Sequence, residues 1–332
     1  MLLLAFSAAA LAQVTPGPIR TFGDWAVACD NVRRCEMTSL QPEDGDTETN
    51  GAELSLVREP GPAGALTIAL WPGSDGKGTL TLAVDGKRIA GGSIREDVVR
   101  FSGAEAQGIA TAIANGRRAQ LSAGGKSASL SLAGVSAALR FVDAQQGRAG
   151  GVTALVARGT RPASAVPPAP PLPVVAAAPL SHGEASLPPG LLARLNKASG
   201  CDEEYSADFP QPAPETGALG GGATLVLVAC GSGAYNLSSA AFIVRGDKAR
   251  PAAFDTAKPG ANAAADALIN ASWDAGTGTL SSYGKGRGLG DCGVSATYVW
   301  DGTRFRATEI DRMDECRGST NWLTVWRADI RR

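Results

Sequence analysis

The chain has 332 residues, of which 44% are hydrophobic and 19% are charged, and its 31 basic side chains nearly balance its 32 acidic ones. A length of about twice the usual domain size predicts two domains, each with enough apolar residues for a core. Nucleic acid binds to basic surfaces, so the balanced charge argues against a nucleic-acid partner.

The first dozen residues form an apolar run that ends in Ala10-Leu11-Ala12. A short apolar stretch before an A-x-A sequence is typical of a signal peptide, here predicted as residues 1–12 with cleavage before Gln13. The run is too short to span a bilayer, and no later segment reaches the roughly 18 uninterrupted apolar residues of a membrane helix. We therefore expect a periplasmic or secreted protein without a membrane span.

The chain contains six cysteines and a single histidine, His182. In an oxidising compartment an even number of cysteines predicts disulfides. If each domain closes its own bridges, the first pairing is fixed and three arrangements remain for the other four cysteines. The favoured arrangement is Cys29 with Cys35, Cys201 with Cys230, and Cys292 with Cys316. No C-x-x-C pair occurs, which argues against a zinc or thioredoxin-type site, and we expect no metal and no cofactor.

The first domain, predicted over residues 13–159, has an α+β pattern. Aromatic and β-branched residues on both sides of Asp30-Asn31 predict a hairpin that the first disulfide would clip. Ser102-Gly103-Ala104-Glu105 matches a capping box and begins a helix that Asn115-Gly116 ends. The other predicted elements are strands at Glu53 to Arg58, Ala65 to Trp71, Thr79 to Val84 and Val152 to Ala157, weaker strands near Ala119 and Ser127, and a helix from Val135 to Gln146.

Residues 160–190 differ in composition from the rest of the chain. Nine prolines lie among alanines here, and such a sequence favours a solvated polyproline-type spacer over a packed element. We interpret the segment as a Pro/Ala-rich linker between the two domains. His182 lies within it, where a catalytic histidine would have no rigid frame, so we interpret His182 as a spacer residue.

Residues 191–332 are predicted to form a second domain made mostly of antiparallel strands, which makes the whole chain α+β and rich in β-structure. A short helix from Pro189 to Ala198 precedes strands whose Gly and Asp turns favour a meander, a sheet or an open barrel. Four tryptophans are interpreted as core residues, with a sugar-stacking platform as the alternative. The tryptophans are Trp273, Trp300, Trp322 and Trp326. The predicted strands are Ala223 to Cys230, Ala240 to Arg245, Ala267 to Trp273, Thr279 to Tyr283, Val294 to Trp300, Thr303 to Ile310 and Trp322 to Ala328.

Five glycines crowd the stretch from Gly284 to Gly293, which predicts a shaped loop tied down at Cys292. The spacing fits neither a dinucleotide fingerprint nor a P-loop. Two readings of its charges stay open. Lys285 and Arg287 can meet an anion, with Asp291 orienting one of them. Alternatively, Arg287 and Asp291 pair with each other in a solvated loop.

Two further patterns invite a catalytic interpretation. Ser282-Tyr283-Gly284-Lys285 matches the S-x-x-K of penicillin-interacting enzymes but lacks the companion motifs. The carboxylates near Cys316 suit glycoside hydrolysis or calcium binding if several converge, and we interpret them as solvated loop charge instead. These carboxylates are Glu309, Asp311, Asp314 and Glu315.

Two segments carry a family resemblance. Phe22-Gly23-Asp24-Trp25 with Cys29-Asp30-Asn31 at the front, and Gly284 to Gly293 with Trp300-Asp301-Gly302 and Glu315-Cys316-Arg317-Gly318 at the back, resemble the exported bacterial domain-of-unknown-function family eleven-seventy-six. The first domain is also similar to the invasion-associated locus B family of secreted proteins. The resemblance implies a periplasmic or secreted bacterial protein and supplies no catalytic residue.

The leading hypothesis is an exported, non-enzymatic binding or interaction protein of the bacterial cell envelope. Its ligand surface is expected at Lys285, Arg287 and Asp291, and its partner is a protein or an envelope glycan. One alternative is a carboxylate-based hydrolase that acts on an envelope glycan. Another alternative is a structural envelope protein in which the linker sets the distance between the two domains.

Overall fold

A computed structural model describes residues 14–43, 51–73, 77–181, 185, 187–255 and 268–332. The predicted signal peptide and His182 lie outside the described residues. The first half is taken as residues 14–159 and the second half as residues 187–332. In the described part of the chain, none of the α-helices has the length and apolar character needed to cross a membrane.

The first half contains two antiparallel sheets and two helices. Its elements are β1 (Ile19–Phe22), β2 (Trp25–Cys29), β3 (Cys35–Ser39), β4 (Ala52–Arg58), β5 (Leu66–Pro72), β6 (Thr79–Val84), β7 (Lys87–Ser93), β8 (Val99–Ser102), α1 (Gly103–Asn115), β9 (Arg118–Ala123), β10 (Lys126–Ser131) and α2 (Val135–Gln145). One sheet has the order β1-β2-β3-β4-β5-β8 and the other the order β10-β9-β6-β7. Apolar residues of both sheets and both helices meet in one core.

Strand β2 is buried on both of its faces. Successive side chains of a strand point to opposite sides, so Trp25 and Val27 join the core of the first half. Ala26 and Ala28 point the other way into a second core. The turn after β2 is closed by the Cys29 to Cys35 disulfide, which confirms the predicted hairpin.

Two local predictions for the first half are wrong. Ser102 stands at the N-cap of α1 but its side chain makes no capping bond, because Gly103, with φ of +58°, turns the chain at the helix start. Val152 to Ala157 forms no strand. The N–H groups of Leu155, Val156 and Ala157 donate to the buried Asp143 carboxylate instead of to a neighbouring strand.

The second half is built from two further antiparallel sheets. Its elements are α3 (Leu191–Ser199), β12 (Glu215–Gly220), β13 (Ala223–Ser232), β14 (Leu237–Arg245), β15 (Lys248–Pro251), β16 (Leu268–Ile269), β17 (Ser272–Asp274), β18 (Thr279–Lys285), β19 (Gly293–Trp300), β20 (Phe305–Met313), β21 (Leu323–Arg327) and β22 (Asp329–Arg331). The first of these sheets is β12-β13-β14-β15, with β16 also paired to β14, and the second is β17-β18-β19-β20-β21. In the described residues both are open sheets rather than closed barrels.

The described residues of the proline-rich segment pack against the rest of the folded chain. The composition of the segment favours a solvated spacer, so the structure differs from that prediction. A short strand within it, β11 (Val174–Ala176), pairs in parallel with β22. Val166 and Val175 are buried, and the N–H of Ala178 donates to the carbonyl of Trp300. The physical reason is that valines between the prolines have apolar surface to bury, and β22 offers them a strand edge.

The two halves share a hydrophobic core. Ala26, Ala28 and Leu40 of the first half lie in the same buried cluster as Leu323 and Val325 of the second half. The predicted layout of two separate domains is therefore not confirmed. The three disulfides are those that were predicted, namely Cys29 to Cys35, Cys201 to Cys230 and Cys292 to Cys316.

Candidate functional site

The glycine-rich stretch forms a compact loop, residues 286–292, between β18 and β19. The N–H of Gly286 donates to the carbonyl of Cys292 across the base of the loop, at 2.8 Å. Within the loop, the N–H of Gly290 donates to the carbonyl of Arg287 at 3.0 Å. Gly290 has a φ of +70°, a conformation that glycine adopts at little cost. The glycines thus allow a tight turn at the end of the sheet.

The loop is fastened to the segment between β20 and β21. Cys292 is bridged to Cys316. Asp291, only 1% exposed, accepts hydrogen bonds from the Arg287 guanidinium at 2.8 Å and from the N–H of Gly318 at 2.7 Å. The bond from Arg287 holds the pKa of the Asp291 carboxyl below its ordinary value. Arg287 and Asp291 therefore form one ion pair that stabilises the loop, and the Asp291 carboxylate is enclosed rather than presented to a ligand.

Lys285 is separate from that pair. Its ammonium lies 5.8 Å from the ring centroid of Tyr283, two residues earlier on the same strand. In the described part of the chain no carboxylate lies within ion-pair distance of it. Of the three residues predicted from sequence, the structure joins Arg287 to Asp291 and leaves Lys285 as the cation without an acidic partner there.

An aromatic pair flanks the loop. The rings of Tyr283 and Trp322 are stacked with centroids 4.6 Å apart, and the Trp322 indole N–H donates to the carbonyl of Gly290 at 3.1 Å. Gly293 lies beneath the indole, where a Cβ atom would come within 2.7 Å of the ring. Trp300 and Trp326 are buried as predicted, whereas Trp322 is partly exposed and Tyr283 keeps 36% of its surface.

The turn between β13 and β14 lies against the same loop and frames an open cleft of about 520 Å³. The Tyr235 hydroxyl donates to the carbonyl of Gly286 at 3.3 Å. The Asn236 side chain donates to the carbonyl of Lys285 at 2.9 Å and accepts from its N–H at 3.2 Å. Sequence reasoning missed Tyr235 and Asn236, because no local pattern indicates that this turn meets a loop 50 residues downstream.

The carboxylates around Cys316 do not converge as one group. Asp314 pairs with Arg312 at 2.9 Å, and Glu315 accepts from the hydroxyl of Thr21 at 2.9 Å. Glu309 and Asp311 lie two residues apart on β20, and burial raises the pKa of each carboxyl above its ordinary value. Over the described ranges, no cluster of three or more His, Cys, Asp or Glu side chains is placed to hold a metal ion.

The segment between β20 and β21 also holds the second half to the first. The Arg317 guanidinium donates to the carbonyls of Gln41 at 2.8 Å and Gly23 at 3.0 Å, and it pairs with the Asp24 carboxylate. The same segment carries Cys316. The glycine loop is thus joined through one disulfide to a segment that is bound to the first half.

Comparisons with known proteins match almost the whole chain to one family. The family model described as a protein of unknown function, DUF1176, matches residues 19–329. The chain belongs to the DUF1176 family. It is also 31% identical over 335 residues to an uncharacterized Escherichia coli (strain K12) protein, YpfG, and the match covers 92% of each chain. No solved structure matches the chain. The DUF1176 segment includes the glycine loop, the aromatic pair and all three disulfides.

Proposed function

We propose that this chain is an exported, non-enzymatic binding protein of the bacterial cell envelope, whose ligand surface lies around the glycine loop. This surface, here called the loop rim, consists of Tyr235, Tyr283, Lys285 and Leu289. The observation that carries the proposal is the exposure of its apolar side chains: 40% for Tyr235, 36% for Tyr283 and 61% for Leu289. Exposed aromatic residues grouped on a rigid element are typical of binding surfaces.

Rigidity supports binding as the role of the loop rim. The loop is held by a disulfide, by the Arg287 and Asp291 ion pair, and by hydrogen bonds from the side chains of Tyr235 and Trp322. Ordering a flexible loop on binding costs free energy, and a loop that is already fixed avoids that cost. An ammonium without an acidic partner among the described residues adds a charged contact to the aromatic ones.

Three disulfides support export, because disulfides persist in oxidising compartments and are rare in the cytosol. A periplasmic or secreted location is thus part of the proposal. The similarity of the first half to the invasion-associated locus B family stays a prediction. The proposed partner is a protein or an envelope glycan, and nucleic acid is not proposed because acidic and basic residues are balanced.

The test is capture of envelope components by the immobilised protein, followed by affinity measurement on the purified partner. Wild type is compared with a Tyr283→Ala, Lys285→Ala double variant. The matched control is Phe209→Ala with Lys197→Ala, which removes an exposed ring and an exposed lysine outside the loop rim. We expect the rim variant to lose the partner and the control to keep it. Equal recovery by both variants would remove the loop rim from the proposal.

A hydrolase is the second candidate function, favoured by the placement of Glu309 and Asp311. The two residues are in positions i and i+2 of β20, which places their Cα atoms about 7 Å apart on one side of the strand, and carboxyl groups roughly 6.5–9.5 Å apart are found in inverting glycosidases. Their raised pKa values would suit a general acid. Incubation with purified envelope glycan, with Glu309→Gln and Asp311→Asn as controls, tests this function. No release of reducing ends by wild type would exclude it for that glycan.

A further inference from the structure

We propose that the cleft between the Tyr235 turn and the glycine loop is a subsite for an anionic saccharide, meaning a sugar that carries a carboxylate or a phosphate. This inference rests on the proposed binding function and names its ligand class. The cleft has a volume of about 520 Å³, which is within the usual range of roughly 300–1,000 Å³ for small-molecule sites.

The charge of the cleft wall selects an anion. Lys285 is the charged residue of the lining, and the lining contains no acidic residue. The nearby Arg287 is neutralised by Asp291, so it adds no cation that would be free for the ligand. A cleft whose lining includes one lysine and no acidic residue attracts an anionic group and disfavours a cationic one.

The polar groups of the wall suit the hydroxyls of a sugar. The lining includes Ser238, four glycines, and Asn236, whose side chain also donates to the carbonyl of Lys285. These glycines are Gly233, Gly284, Gly286 and Gly293. A wall of amide, hydroxyl and backbone groups with few apolar side chains matches a hydroxyl-rich ligand better than a hydrocarbon one.

Tyr235 supplies the stacking surface that the apolar face of a sugar ring requires. Its ring lines the cleft and its side chain is 40% exposed. The hydroxyl is bonded to the carbonyl of Gly286, and the loop packs so close that a Cβ atom at Gly288 would lie 3.5 Å from the ring. The ring is therefore held in one orientation before the ligand arrives, which favours affinity.

A partly buried network of amide groups fixes the turn that carries Asn236. The Asn270 side chain donates to the Asn236 carbonyl oxygen at 3.1 Å and to the carbonyl of Tyr283 at 2.8 Å, and it accepts from the N–H of Leu237 at 2.9 Å. These bonds join β14, β18 and the turn between β16 and β17. The cleft is consequently formed by residues whose positions are set by three separate strands rather than by one mobile loop.

The test is calorimetric titration of the full chain with defined sugars at low and physiological salt. The probes are an oligogalacturonate, a neutral galactose oligosaccharide of equal length, and glucose 6-phosphate. We expect at least one anionic probe to bind about tenfold more tightly than the neutral one, and to weaken as salt rises. The carboxylate and phosphate arms then decide which anionic group is preferred. Equal affinity for the neutral probe would overturn the inference.

Variants of the lining residues test whether the anionic probe binds in the cleft. We expect Lys285→Met to weaken the anionic probe about tenfold and Lys285→Arg to retain most of the affinity, because only the former removes the charge. Tyr235→Ala should abolish stacking while Tyr235→Phe keeps it. Lys197→Met is the matched control outside the cleft, and unfolding curves verify that each variant is folded. Unchanged affinity in both Lys285→Met and Tyr235→Ala would overturn the subsite.

The two proposals fail in distinguishable ways. If the protein captures an envelope partner through the loop rim but binds neither anionic probe, the saccharide inference is overturned and the binding function stands. If it captures no partner and binds no probe, both are overturned. If it binds an anionic probe and Lys285→Met weakens that binding, both are supported.

Discussion

The carboxylate of Glu53, on β4 of the first half, accepts a hydrogen bond of 2.8 Å from the hydroxyl of Ser319, in the segment between β20 and β21. The same carboxylate accepts from the hydroxyl of Thr38 at 2.5 Å. A single buried side chain of the first half therefore accepts from one buried hydroxyl of each half.

Replacing Glu53 is expected to destabilise the whole molecule. Glu53→Ala leaves the buried hydroxyls of Thr38 and Ser319 without this acceptor, so we expect the free energy of unfolding to fall by about 2–4 kcal/mol. Urea unfolding at neutral pH measures the change. Ser55→Ala, a buried substitution two residues along the same strand, is the control and should cost about 1 kcal/mol or less. A loss for Glu53→Ala no larger than that of the control would contradict the prediction.

The contribution of Glu53 should also depend on pH. Burial raises the pKa of its carboxyl above the ordinary value of 4.5, so the folded state binds the proton more tightly than the unfolded state does. Its contribution is then fully present below pH 4.5 and declines as the pH rises through the folded pKa. We expect the difference in unfolding free energy between wild type and Glu53→Ala to shrink over that range. A difference that grows with pH would show that the carboxylate is stabilised in its charged form.

Removing the disulfide that anchors the glycine loop should cost more than removing the one in the first hairpin. Cys292 and Cys316 are 24 residues apart, whereas Cys29 and Cys35 are 6 apart. Loop-closure entropy gives about 3.5 kcal/mol for the longer loop and about 2 kcal/mol for the shorter one. Urea unfolding of the two Cys→Ser double variants under non-reducing conditions compares them. A larger loss of stability for the Cys29 and Cys35 variant would mean that contacts in the folded state, rather than chain entropy, determine the difference.

The Arg287 and Asp291 pair should stabilise the fold above acidic pH. Because Arg287 depresses the pKa of the Asp291 carboxyl from its ordinary value of 3.8, the stability that this carboxylate contributes is present above pH 3.8 and is lost as the pH falls through the folded pKa. We expect Asp291→Asn to lower the unfolding free energy by about 1–3 kcal/mol at pH 7 and by less at pH 2–3. Thermal melts from pH 2 to pH 7 measure this. Asp314→Asn, which breaks an exposed ion pair, should change stability by less than about 1 kcal/mol.

Removing the Tyr298 hydroxyl should not destabilise the second half. The Tyr298 side chain is fully buried, its hydroxyl has no hydrogen-bond partner among the described residues, and burial raises its pKa. An unpaired buried hydroxyl costs free energy, so Tyr298→Phe is expected to raise the free energy of unfolding by about 1 kcal/mol. Chemical denaturation tests this prediction, with Tyr298→Leu as a control that also changes packing. A loss of more than 1 kcal/mol for the phenylalanine variant would mean that the hydroxyl is bonded in solution.

Much of the fold was predictable because its elements are encoded locally. The strand at Thr79–Val84 and the helix that begins at Val135 follow the periodicity of their own apolar residues. The segment from Val152 to Ala157 shows the limit of such reasoning. Its β-branched and apolar residues suit a strand, but the Asp143 carboxylate takes its N–H groups, and no local pattern reveals that contact.

The candidate site was predictable only in part for a related reason. The glycines and charges of the loop stand out in sequence, so Lys285, Arg287 and Asp291 were found. The residues that complete the surface come from elsewhere in the chain, with Tyr235 reaching Gly286 across 51 positions and Trp322 stacking on Tyr283. Such partners depend on how two sheets meet, which is a property of the folded chain rather than of any one segment.

The pairing of β11 with β22 sets an order of events during synthesis. Val174 and its neighbours find their strand partner at Asp329–Arg331, and the turn at Asn31 bonds to Arg327 through both its amide oxygen and its amide nitrogen. A chain that emerges from its amino end must hold both segments without these partners until residues 327–331 are released. Deletion of residues 327–331 would therefore leave the hairpin around Asn31 and the strand at Val174–Ala176 without their partners, far from the deleted residues in sequence.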